Sequence, residues 1–171
     1  VPAVASELGE IPGVVISRVC ATYPGEFISL TNHGPSLDVK GWRLSDGEGS
    51  VTFNTSLVIP TSGSVTWYAP GSFFRELYPD EASLSNDSSE VILKGSLKLA
   101  DAGDQVHLFD ARGTLVDLVC YGNVEPQPPW TGPPAVLKKG SVLVRNDLGK
   151  GPENWGTVVP GLFSIKSPSF P

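Results

Sequence analysis

Val14-Val15-Ile16-Ser17-Arg18-Val19-Cys20, then Thr22-Tyr23-Pro24-Gly25, then Glu26-Phe27-Ile28-Ser29-Leu30-Thr31-Asn32, is the stretch whose reading decides the fold class. The two outer segments are short and β-branched, and the Pro-Gly pair between them supplies a reversal. The expectation is an antiparallel hairpin in which Arg18 and Ser29 face each other across the ladder. It stops at His33-Gly34-Pro35-Ser36. The pattern recurs outward along the chain. Gly41-Trp42-Arg43-Leu44 and Ser50-Val51-Thr52-Phe53 flank Asp46-Gly47-Glu48-Gly49. Gln105 to Phe109 and Thr114 to Cys120 flank Asp110-Ala111-Arg112-Gly113, a second hairpin signal. Leu57-Val58-Ile59, Ser64 to Ala69, Val91-Ile92-Leu93, Leu97-Lys98-Leu99 and Ser141 to Arg145 read as further strands. Helical stripes are almost absent. The one helix expected is a turn or two over Ser72 to Tyr78, with Ser72 as N-cap and Pro79 as terminator. About eight to ten short strands with regular turns make an all-β antiparallel sandwich or barrel.

Composition agrees. Of 171 residues, 19 are Gly and 16 are Pro, well above the usual ~12%. No collagen period carries them, so they punctuate strands. The length suffices for one domain with its own core. Twelve basic residues against eighteen acidic ones give a net charge of −6. A protein that binds nucleic acid by neutralising phosphates needs the opposite sign, so nucleic acid is not the expected partner. No apolar run is long enough for a transmembrane helix. The absence of Met suggests a processed or excised part of something longer. Residues 1–13 read as an N-terminal extension, 14–156 as the sandwich, and 157–171 as a tail or linker.

The residues resemble the lamin-tail domain, an immunoglobulin-like β-sandwich. The resemblance rests on Val15 to Val19, Glu26 to Asn32, and Leu37 to Asp46 with Gly41-Trp42 at its centre. It continues through Leu97 to Asp110 with Gly103-Asp104, then Gly113, Val116 and Asp117, with Arg145 and Trp155 later in the chain. It spans roughly residues 14 to 156 and implies an immunoglobulin-like antiparallel sandwich. Read bottom-up, Trp42 would pack between the sheets, and Asn32 and Asp104 would bond backbone at strand ends. Family members commonly carry acids where Arg18 and Ser29 stand. In such a sandwich the first and last strands can lie side by side, which leaves a Cys20–Cys120 disulfide open beside two buried thiols.

Catalytic patterns are missing. His33 sits in a turn and His107 in a strand, and neither has metal-ligand spacing to the two cysteines. No nucleophile elbow, P-loop, dinucleotide fingerprint or His-x-Lys phospholipase-D signature occurs. No cofactor or metal is expected; Asp46-Gly47-Glu48 reads as a solvated hairpin rather than a calcium loop. Asn54-Thr55-Ser56 and Asn86-Asp87-Ser88 fit the glycosylation tripeptide. Lys138-Lys139, Arg145 and Lys150 form the one basic concentration, read as a solvated edge.

Aromatics carry the remaining signal. Trp130 stands among prolines from Pro126 to Pro134, including Pro128 and Pro129, and has two readings. It is either a lid packed on the sandwich or a contact site preformed by stiff flanks. Trp67 and Tyr68 are further candidate contact rings. The expected function is that of a non-catalytic interaction or tethering module of an exported or surface-attached prokaryotic protein. Its partner would be a protein or a cell-surface polymer. Two alternatives stand beside it: an accessory domain of a nuclease or phospholipase-D-like hydrolase, and a carbohydrate-binding module using Trp130, Trp67 and Tyr68.

Overall fold

A computed structural model describes residues 13–85, 91–94 (backbone only) and 97–160. They form a β-sandwich. One sheet has six strands in the order β13 (Trp155–Val158), β12 (Val142–Arg145), β1 (Val14–Cys20), β2 (Phe27–Asn32), β7 (Ser64–Tyr68) and β8 (Ser83–Ser85). The other has five: β11 (Leu115–Gly122), β10 (Gly103–Phe109), β4 (Arg43–Ser45), β5 (Ser50–Phe53) and β9 (Val91–Lys94). A two-stranded ribbon, β3 (Leu37–Asp38) with β6 (Val58–Ile59), flanks them. Pairing is antiparallel except for β7 and β8, which run parallel at the sheet edge.

The hairpins read from the sequence are present. β1 pairs with β2 with Arg18 opposite Ser29, β4 with β5 around Asp46 to Gly49, and β10 with β11 around Asp110 to Gly113. Every residue of β1 and β2 is buried, because both faces of these central strands are covered. On one side lies the inter-sheet core. On the other, Phe74 and Tyr78 pack with Cys20, Phe27 and Val142. Phe74 begins a short helix, α1 (Phe74–Leu77). The helix starts one residue later than expected. Phe73 holds the N-cap position, and the Ser72 hydroxyl accepts from the Phe74 N–H at 3.3 Å.

Several expectations need correction. The tryptophan between the sheets is Trp67, 1% exposed, whereas Trp42 precedes β4 and is only half-buried. Leu97-Lys98-Leu99 is not a strand, because carboxylates take the backbone donors there, as described below. β13 runs to Val158 and pairs Thr157 and Val158 with β12, so the sandwich passes the expected boundary at 156. Cys20 and Cys120 are both buried free thiols. The hydrogen-bonded neighbours of β1 are β2 and β12, while β11 belongs to the other sheet, so the strands that carry the two cysteines are not paired. Burial pushes the Cys20 thiol up to about 11, a protonated and unreactive state.

One buried ion pair joins the two sheets. Arg145 and Asp117 are both without solvent exposure and meet at 2.5 and 3.2 Å. Asp117 also accepts from the N–H of Ile16 at 2.8 Å and of Leu118 at 2.9 Å. Arg145 donates to the carbonyls of Ile16 (2.8 Å), Asp147 (2.9 Å) and Gly149 (3.0 Å). Its guanidinium lies 5.1 Å from the Trp155 ring. Arg145 therefore does not belong to the basic surface of Lys138 and Lys139, which are exposed.

Removing one partner of a buried pair leaves the other charge uncompensated. Asp117→Ala should therefore lower the unfolding free energy by about 3–5 kcal/mol, measured by urea denaturation. A loss within the range of ordinary surface substitutions would show that Arg145 reaches solvent in the folded protein.

Candidate functional site

The turns of β1–β2 and β4–β5 and the open end of the β10–β11 hairpin, where Gly103 faces Gly122, lie at one end of the sandwich, and the segment from Leu97 to Asp101 is strapped across it. Leu97 and Leu99 point apolar side chains into the core. Three carboxylates from three different strands or turns take successive backbone donors of this strap. Asp46 accepts from the Lys98 N–H at 2.9 Å, Glu26 from the Leu99 N–H, and Asp104 from the Ala100 N–H at 3.0 Å. The Tyr121 hydroxyl donates to the Ala100 carbonyl at 2.9 Å. A segment whose donors are used this way has none left for a ladder.

Gly103-Asp104 owes its composition to this junction. A Cβ on Gly103 would collide with the backbone N of Asn123. Asp104 is the strand-end carboxylate bonding backbone that its position suggested, and Asn32 does the same at the opposite end. The Asn32 side chain accepts from Gly34 at 2.9 Å and donates to the carbonyls of Pro35 and Ile59, each at 2.8 Å.

The strap concentrates negative charge. Burial raises the Glu26 carboxyl above its ordinary range, the hydrogen bond from Leu99 and the charge of Lys98 oppose this, and Asp101 and Asp46 add to it. Asp104 is raised by burial and by Asp46 and Glu48, against its bonds from Ala100 and Gln105. These groups do not make a metal centre. Among the described residues no cluster of three or more His, Cys, Asp or Glu side chains is placed to hold an ion. Asp46, read as part of an acidic hairpin, is committed to backbone: its second oxygen accepts from Glu48 (2.8 Å) and Gly49 (2.7 Å).

Beside the strap a cleft of about 400 Å³ opens between the β1–β2 turn and the loop leading to α1. Tyr23 and Phe73 line it and are 53% and 57% exposed, and Asp101 stands at its edge. Its walls are held together. The Phe73 N–H donates to the Pro24 carbonyl at 2.8 Å, and the Ala69 N–H to the Glu26 carbonyl at 2.9 Å.

The structure separates the aromatics singled out from the sequence. Trp130 is a packed lid, 6% exposed within the main core, with its indole N–H donating to the Pro133 carbonyl at 2.9 Å. Trp67 is core. Tyr68 is half-buried and stacked on Phe74, with ring centroids 6.1 Å apart. Pro128 and Pro129 alone of the set are exposed, at the surface beside the buried ring. No shared aromatic platform joins Trp130, Trp67 and Tyr68, so a contact surface built from those three rings is absent. Tyr23 was missed because a turn has no periodicity to reveal which side chain faces out.

Two other clusters are structural. Arg18, unexposed, donates to Ser29 Oγ at 3.0 Å, pairs with Glu81, and lies 5.7 to 5.8 Å from the rings of Phe27, Phe74 and Tyr78. Arg43 covers Phe109 at 4.5 Å and His107 stacks on the same ring at 5.7 Å. Burial lowers the pKa of both histidines. His33, in its turn, is half-buried. Asn54, Thr55 and Ser56 are exposed, while Asn86-Asp87-Ser88 lies outside the described residues.

The Lamin Tail Domain family model matches residues 10–123, about two thirds of the chain. No curated protein matches it. The match stops before β12, yet Arg145 of β12 ties directly to Asp117 within it, so one sandwich includes both parts.

Two outcomes follow from this geometry. Trp130→Ala should cost about 3 kcal/mol or more in thermal or urea unfolding, as loss of a packed ring does. A melting temperature unchanged by the substitution would mean that the ring is not seated on the core. The second concerns pH. A carboxyl raised in the folded state stabilises most when protonated, and this contribution is lost as pH rises through its folded pKa. Lowering the pH from neutral toward the ordinary glutamate value of 4.5 should therefore raise the wild-type melting temperature relative to that of Glu26→Gln. Parallel pH profiles for the two proteins would refute this.

Proposed function

The chain belongs to the lamin tail domain family, a family of non-catalytic, immunoglobulin-like interaction domains, and from that premise we propose that it is a tethering module whose contact surface is the strapped end of the sandwich. The observation that carries this reading is the exposure of Tyr23 and Phe73 on one cleft whose walls are already bonded to each other. Exposed aromatics on a preorganised scaffold contribute much of the energy of protein interfaces and lose little entropy on binding. The partner is a protein or a surface polymer of the producing cell. The domain works outside the cytoplasm, as part of an exported or surface-attached protein.

The accessory-domain reading places the same surface against a neighbouring hydrolase domain. The carbohydrate reading loses its support with the burial of Trp67 and Trp130.

A photo-crosslinking amino acid placed at Tyr23 or Phe73 should give one discrete adduct in intact producing cells. The same group at Val58, exposed on the ribbon near the opposite end, should give none. Adducts from Val58 with none from the cleft would overturn the assignment of the surface. A polymer or protein in the adduct supports tethering, whereas a hydrolase supports the accessory role.

A further inference from the structure

Resting on that reading of the strapped end, we propose that the cleft receives an arginine side chain carried on an extended segment of the partner. The guanidinium lies against the rings of Tyr23 and Phe73 and pairs with the carboxylate of Asp101.

The lining sets the chemistry. Tyr23 and Phe73 provide two exposed π faces, and Asp101, also exposed, is the one charged residue among the lining. An anionic group would be repelled by that carboxylate, and a neutral one could not pair with its charge. A guanidinium answers both features at once, since it is weakly hydrated, stacks on rings and donates to a carboxylate. The chain makes the same pairing internally. Arg43 on Phe109 (4.5 Å) and Arg145 on Trp155 (5.1 Å) each combine a guanidinium with an aromatic face.

Shape agrees with an extended carrier. The cleft, about 400 Å³, is shallow and open to solvent, so a side chain can lie in it while its main chain runs across the opening. Gly71 borders it with open space where a Cβ would be, so backbone can approach closely. Gly25 is different. A Cβ there would meet Ser72, so this glycine locks the two walls together.

The surrounding field has the matching sign. Glu26, Asp46, Glu48 and Asp104 stand at the same end, and Glu26 and Asp101 add to burial in pushing up Cys20 and Tyr121. The opposing charges are Lys98, beside Glu26, and Lys138 and Lys139, which precede the Gly140 that donates to Thr22 at the cleft rim. Replacing Asp101 tests whether its carboxylate outweighs these lysines.

The test is a titration of the whole chain with acetylated, amidated glycyl-arginyl-glycine, followed by amide chemical shifts, with glycyl-glutaminyl-glycine as the neutral control. Saturable shifts should centre on Gly25, Gly71, Phe73 and Asp101. The apparent affinity should fall about fivefold for the glutamine peptide, for Asp101→Asn and for Phe73→Ala. Unchanged melting temperatures establish that both variants are folded. Equal responses to both peptides, or shifts centred elsewhere, would overturn the proposal. So would saturation by a neutral oligosaccharide at the same amides with no response to arginine. Crosslinks from Tyr23 without an arginine preference refute only the arginine assignment. An arginine preference without crosslinks refutes only the tethering reading.

Discussion

The fold depends on one side-chain pair buried between two sheets. Ile16 sits where β1 runs past the end of its pairing with β12, whose register covers Arg18 with Val144 and Val19 with Leu143. Its N–H and C=O are then satisfied by Asp117 and Arg145, respectively. The pair thus takes over for a missing ladder. It ties β1 and β12 of one sheet to β11 of the other. A guanidinium without exposure needs an acceptor for each N–H, and here four backbone carbonyls and one carboxylate supply them. Such a pair need not stabilise the fold more than packed hydrocarbon would. Its geometry admits only one relative placement of the three strands, and that is its value here.

The strapped end works by a related principle with the opposite electrostatic cost. Three carboxylates hold Lys98, Leu99 and Ala100 by their backbone, and the nearby Lys98 charge offsets only part of the burial at Glu26. Burial first, and then the neighbouring carboxylates, raise Glu26 and Asp104. The arrangement closes the core over Leu97 and Leu99 and leaves a negative rim. A surface made in this way can attract cations. Binding at turn ends on a rigid sandwich is consistent with a domain family whose work is contact rather than turnover.

The aromatic residues illustrate where sequence reasoning stops. Alternation identifies strands well, and the strand of Ser64 to Tyr68 was legible from it. Alternation does not say whether the outer face of a strand is solvated or covered. Here the segment carrying Phe74 and Tyr78 covers the outer face of β1 and β2, and the loop around Trp130 packs on the main core. Trp67 and Trp130 became core while Tyr23 and Phe73 remained exposed. Hydrophobicity does not separate those two pairs. Burial depends on which distant segment arrives above each ring.

The sequence by itself determined the all-β antiparallel class, the main hairpins, the Arg18–Ser29 facing and the backbone-bonding roles of Asn32 and Asp104. Each follows from interactions between residues close in the chain or paired across a turn, where side-chain period and turn chemistry act directly. Only the tertiary structure decided that Asp117 meets Arg145, that both cysteines are separate buried thiols, that Leu97 to Ala100 is a strap, and which rings face outward. Those features join residues far apart in sequence. Local pattern carries no record of them, because a buried charge or ring is defined by its neighbours in space.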